Sequence, residues 1–102
     1  DEFADVTFSG GDPLYQVEAF TELARRIKEE TGKNIWCYTG YKFEYLMQHP
    51  TRRKLVELCD VIVDGRFVES ERDLSLHFRG SRNQRVIDVQ KSLQGDIHCL
   101  EF

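Results

Sequence analysis

The sequence predicts an α/β fold built on a mostly parallel sheet of about four strands. Two observations predict it. Short apolar runs alternate with stretches whose apolar residues recur at helical spacing, in the order strand, helix, strand, helix, strand, then loop and strand. One of those runs, Val61-Ile62-Val63, is apolar without alternation, as strands covered on both faces are. Consecutive strands joined through helices imply right-handed βαβ units.

Val6-Thr7-Phe8-Ser9 reads as the first strand, stopped by Gly10-Gly11. Asp12 and Pro13 suit the cap and first position of a helix. In that helix Val17, Phe20, Leu23, Ala24 and Ile27 form the apolar stripe, with Glu22 and Arg26 four apart on the solvated side. Thr31-Gly32 ends it. Asn34 to Tyr38 is the second strand, turning at Thr39-Gly40-Tyr41. Phe43, Leu46 and Met47 suggest a short helix that Pro50 interrupts. Thr51 to Leu58 reads as another, with Leu55 and Leu58 inward. Val61 to Val63 is the third strand, ended by Asp64-Gly65. Phe67 to Leu76 reads as loop, Val86 to Val89 as a fourth strand, and Gln90 to Phe102 carries no clear pattern.

The 102 residues suit a single domain, 1–102, long enough for a real core. Hydrophobic residues make up 40% and charged residues 31%, a globular balance. A net charge of −4 argues against nucleic acid or an anionic membrane as partner. No apolar run approaches the roughly 18 residues of a membrane-spanning helix. The absence of an initiator Met, so close to an apolar run, suggests a fragment of a longer protein. Cys37, Cys59 and Cys99 are odd in number and far apart, which suits neither a disulfide framework nor a close-spaced metal motif. They favour a reducing, cytoplasmic setting. His49, His77 and His98 match no local ligand spacing.

In a parallel sheet the functional edge lies beyond the C-terminal ends of the strands. Four polar, glycine-containing segments fall near such ends: Ser9 to Asp12, Thr39 to Tyr41, Asp64 to Arg66 and Arg79 to Arg85. In Ser9-Gly10-Gly11-Asp12-Pro13 two glycines let a ligand approach bare backbone, and Asp12 can accept from an ammonium group. The same residues also make a plain strand-to-helix turn. A phosphate loop is excluded, because no Lys and Ser/Thr follow the second glycine. Asp64 and Arg66 read as sharing one face at a strand end, where an Arg can hold a carboxylate through two parallel bonds. A plain surface pair is the alternative. Asp60 and Asp64, roughly 13 Å apart on an extended strand, are too distant for a glycosidase pair. Arg79-Gly80-Ser81-Arg82-Asn83-Gln84-Arg85 is dense in donors, suiting a nucleotide, phosphate or partner carboxylates, or simply a solvated loop. Tyr38 or Tyr41 could stack on an adenine ring.

The run Val6-Thr7-Phe8-Ser9-Gly10-Gly11-Asp12-Pro13-Leu14 resembles the Gly-Gly-Glu/Asp motif of radical S-adenosylmethionine (SAM) activating enzymes. Ile35 to Tyr41, Asp60 to Val68 and Phe78 to Asp88 are similar, in the same order, to segments of the branch that serves anaerobic ribonucleoside-triphosphate reductase. The resemblance implies a partial (βα) radical SAM barrel with a [4Fe–4S] cluster, held by three cysteines spaced Cys-x3-Cys-x2-Cys. It implies reductive cleavage of SAM and a glycyl radical formed on the reductase, the partner enzyme. Residue by residue, it implies that Gly10, Gly11 and Asp12 hold the SAM amino group and that Thr39 and Gly40 line the SAM pocket. Arg66 would meet the SAM carboxylate, with Asp64 orienting that neighbourhood.

The cluster motif is missing from this sequence, and its three cysteines cannot replace it. The expectation is therefore the C-terminal two-thirds of such an enzyme, with no catalytic or metal-ligating residue of its own and no activity alone. An exposed sheet edge could drive self-association. The alternative is a non-catalytic module that binds a nucleotide or protein through its glycine loops. A phosphatase built on Asp64 is disfavoured, because the usual partner carboxylate two residues on is Arg66.

Overall fold

The four apolar runs form one sheet. In the computed structural model of the protein, which describes residues 6–8, 16–76 and 79–100, the strands are β1 (Val6–Phe8), β2 (Ile35–Tyr38), β3 (Val61–Asp64) and β4 (Arg85–Asp88), side by side in that order. The first three are parallel, with Phe8 opposite Cys37 and Tyr38 opposite Val63. β4 runs antiparallel to β3, with Asp64 opposite Arg85 and Val61 opposite Asp88. The expected mostly parallel α/β sheet is therefore present, with its last strand reversed.

Helix α1 (Val17–Glu30) connects β1 to β2, α2 (Phe43–Met47) and α3 (Pro50–Leu58) connect β2 to β3, and α4 (Val89–Ser92) follows β4. All four helices pack on one face. Ala24, Phe43, Leu46, Leu55, Val56 and Val89 share a buried cluster with Phe8, Ile35, Cys37, Ile62 and Ile87. The alternate strand residues Trp36, Val61, Val63 and Val86 form a second cluster with Tyr38 and Leu100. Both faces of β3 are covered, which is why its four residues are all buried. Strand order that follows chain order, with the helices on one side, is the winding of a barrel; a doubly wound sheet reverses its order and carries helices on both faces.

Some details depart from the sequence reading. Asp12 and Pro13 lie outside the described residues, and the described helix starts at Val17 with Gln16 as its cap. Leu23 is 47% exposed: the buried stripe runs through Ala24 with Val17, Phe20 and Ile27, which leaves Leu23 at its margin. Glu22 pairs with Arg25, and Arg26 with Glu30, so the expected Glu22–Arg26 pair is replaced by its neighbours. In α3 it is Val56, beside Leu55, that is fully buried, while Leu58 is only partly covered. Gly32 closes α1 at φ +67, its N–H donating to Ile27 and Lys28 carbonyls.

The patternless C-terminal stretch is ordered by contacts with β4. Asp88 caps α4 by accepting from the Lys91 N–H. The chain then returns along the outer edge of β4: Asp88 N donates to His98 O (2.8 Å), Leu100 N donates to Val86 O (2.7 Å), and Ile87 bridges Cys99. At the end of the sheet where β4 leads into α4, Asp60 is a staple. Its carboxylate accepts from the Ile35 N–H (2.8 Å) and pairs with Lys28 of α1, while its backbone bonds Ile35 and Val89.

Candidate functional site

The C-terminal ends of β2 and β3 lie next to one another because the two strands are parallel and in register. The turns that follow them are stitched together: Thr39 N donates to Val63 O (3.0 Å) and Gly65 N donates to Tyr41 O (3.0 Å). Thr39 is buried, and its hydroxyl accepts from the Tyr41 N–H (3.1 Å), fixing the first turn. Gly40 is exposed beside it. Gly65 sits at φ +89, a backbone state that a side chain disfavours. That kink ends the strand alternation, so Asp64 and Arg66 do not share a face. Asp64 is fully buried, and Arg66 is exposed with no ion-pair partner among the described residues. Of the residues singled out from the sequence, Thr39, Gly40, Asp64 and Arg66 thus converge on one rim. Gly10, Gly11 and Asp12 lie outside the described residues.

The partner of Asp64 is Arg85, which the sequence reading placed in the donor-dense 79–85 segment without pairing it to Asp64. One carboxylate oxygen accepts from the Arg85 N–H (3.3 Å) and Nε (3.1 Å); the other accepts from Arg85 Nη2 (2.5 Å) and from the Phe43 N–H at the start of α2 (2.8 Å). Arg85 then reaches Glu44 with two further bonds, at 2.6 and 3.2 Å. These bonds to Asp64 and then Glu44 raise the Arg85 pKa, and the Arg85 bonds hold the Glu44 carboxyl below its ordinary value. The register of an antiparallel β4 is what brings Arg85 opposite Asp64, and that register is invisible in the sequence. Lys42, Glu44, Tyr45, Gln48 and Arg85 line a shallow cleft of about 470 Å³ beside this clamp.

The 79–85 segment reaches the same rim by leading into β4 rather than by following a strand. Most of its donors are used internally. Gln84 accepts from the Gly80 and Ser81 N–H groups and donates to Gly65 O (2.9 Å). Asn83 donates to Arg66 O (2.7 Å), Arg79 to the Arg82 and Gln84 carbonyls, and the buried Ser81 hydroxyl accepts from Val68 N. The segment is thus a brace that fixes the Gly65–Val68 turn. Tyr38 packs with the Trp36 cluster, whereas Tyr41 stacks on Tyr45 (5.2 Å between ring centroids, 13° between planes) beneath Arg52.

The cysteines do not make a metal site. Cys37 and Cys59 are fully buried together in the helix-side core, Cys99 is exposed, and among the described residues no group of three Cys, His, Asp or Glu could hold an ion. Contact with Cys37, and then burial, push the Cys59 thiol well above its ordinary pKa, the reverse of what a thiolate ligand needs.

Residues 1–87, which contain the whole stitched rim, match the 4Fe-4S single cluster domain family. The chain belongs to that family. Within the 4Fe-4S single cluster domain family it is similar to proteins named anaerobic ribonucleoside-triphosphate reductase-activating protein. It is 44% identical to the one of Escherichia coli K12 over 84 residues, which take in 79% of this chain and 53% of the relative. The Haemophilus influenzae protein is 42% identical over the same shares, and that of Enterobacteria phage T4 is 38% identical over 79% of this chain and 51% of its own. The chain spans about half the length of the curated relatives it matches. No solved structure matches it. Among the described residues no helix is long and apolar enough to cross a membrane.

Proposed function

We propose that this chain is the SAM-holding part of an activating protein for anaerobic ribonucleoside-triphosphate reductase, a radical SAM oxidoreductase acting in a reducing cytoplasm. The observation that carries the reading is the stitched pair of turns at one rim of a barrel-type sheet, the edge at which such folds bind ligands. The names of the relatives supply the partner. In this reading 1–102 is one domain. Gly10, Gly11 and Asp12 take the ligand's amino group, Thr39 and Gly40 line its pocket, and Arg66 takes its carboxylate. Asp64 acts through the clamp with Arg85, which holds β4 and the start of α2 against the rim.

The reaction of the whole enzyme is reductive cleavage of SAM and formation of a glycyl radical on the reductase, with a [4Fe–4S] cluster supplying the electron. The three cysteines of this chain do not fit that cluster, so none of these steps is assigned to its residues, and the chain alone is inactive. The donor set at the rim does fit the amino-acid end of SAM: the exposed guanidinium of Arg66 follows a glycine turn that carries no side chain of its own. The β1 edge, on which no strand pairs among the described residues, is the edge through which self-association would run.

Titration of the chain with SAM tests the reading. Weak but saturable binding is expected, reduced by Asp12→Ala and by Arg66→Ala, and anaerobic reconstitution with iron and sulfide is expected to yield no 5′-deoxyadenosine. Binding that ignores both substitutions would refute the assignment of the rim.

A further inference from the structure

A side-chain carbon built on Gly65 would sit 3.8 Å from Lys42 Nζ and 3.7 Å from Asn83 Nδ2. Because Gly65 has no such carbon, those two nitrogens flank a gap of about one methyl group above a turn whose next residue is the exposed Arg66. Lys42 is exposed and, among the described residues, forms no ion pair. The nearest carboxylates are already held. Glu44, which feels the Lys42 charge, accepts two bonds from Arg85, and Asp64 is enclosed by Arg85 and the Phe43 N–H. Asn83 uses one amide hydrogen on Arg66 O, and its amide nitrogen carries a second. The gap is bordered by the Lys42 ammonium and the Asn83 amide N–H, with the Asn83 carbonyl oxygen 3.9 Å from the same point, and with the local acids engaged elsewhere its two donors suit one oxygen of a small anion.

We infer that Lys42 is a second carboxylate-binding residue of this rim, placing its ammonium on the ligand's α-carboxylate from the side opposite Asn83. This deepens the proposed function and rests on its reading of the rim as the amino-acid end of a SAM site. Lys42 reaches the gap because the Gly65 N–H bond to Tyr41 O draws the residue before it against the turn.

The test is calorimetric titration of the chain, wild type and Lys42→Met, with SAM and with decarboxylated SAM. Lys42→Met should weaken SAM roughly tenfold, the value of one charge-assisted bond, and change decarboxylated SAM by less than twofold. Lys42→Arg should recover most of the loss. Equal weakening of both ligands, or no change for SAM, overturns the inference while leaving the proposed function intact. If the wild type binds neither ligand, the reading of the rim as a SAM site fails. The anion site is then decided by NMR titration with L-methionine against methioninol. Shifts of the Gly65 amide with L-methionine alone, absent in Lys42→Met, support it, and equal or absent shifts overturn it.

Discussion

Replacing Arg85 by Met removes the countercharge of a carboxylate that has no contact with solvent. Asp64 accepts four bonds, and two of them, from Arg85 Nε and Nη2, disappear with the guanidinium. The Phe43 N–H and the backbone N–H of residue 85 remain. Breaking a buried ion pair from one side costs about 3–5 kcal/mol, because the remaining charge stays desolvated. The Arg85 side chain is 26% exposed, so water can follow the methionine part-way in, and the lower end, about 3 kcal/mol, applies. Asp64→Asn leaves an amide oxygen for the Phe43 N–H and a guanidinium still bonded to Glu44, so it should cost only about 1–2 kcal/mol. The ordering is the core of the prediction: removal of the exposed partner does more harm than neutralisation of the buried one. Urea unfolding at pH 7 reads it, with a shifted midpoint and an unchanged slope. For a domain of this size the Arg85→Met Tm should fall by roughly 10–20 °C. A double variant should recover about 1–2 kcal/mol of the summed loss. If Arg85→Met costs less than Asp64→Asn, Asp64 is not held as a buried charge and the clamp is wrong.

Ile62→Ala, in a strand covered on both faces, should cost about 3 kcal/mol by the same measurement. Gly65→Ala forces a side chain into φ +89 and should cost about 1–2 kcal/mol, while also filling the gap beside Lys42 and weakening SAM. Glu44 titrates below its ordinary value because Arg85 binds its charged form, so its stabilisation is complete above the unfolded pKa and is lost as pH falls through the folded one. The Tm difference between wild type and Glu44→Gln should therefore shrink between about pH 5 and pH 3. Thiol titration with Ellman's reagent should find Cys99 fast and Cys37 and Cys59 reactive only in denaturant; early reaction of a second thiol would contradict their burial.

The strands were legible because burial leaves a mark on residue type. Val61-Ile62-Val63 could only be a strand with both faces covered, and it is. The glycine ends were legible too, since Gly32 and Gly65 both occupy positive φ. What the sequence hides is pairing at a distance. Nothing in Arg85 announces that it meets Asp64, because that depends on the direction in which the 65–84 connection returns the chain. The donors of Asn83 and Gln84 read as free for a ligand, yet most of them brace a neighbouring turn. Asp88 carried a signal that went unused: an acidic residue three before Lys91 is a helix cap in miniature. Lys42 left no signal, since its role depends on an atom that Gly65 lacks.

The returning C-terminal segment has an effect on how the sheet can grow. Its bonds from Leu100 and to His98 occupy the outward backbone groups of β4, so one flank of the sheet is sealed. Among the described residues, a fifth strand from any source finds hydrogen-bonding room only alongside Val6–Phe8, which makes enlargement of this sheet a one-way process.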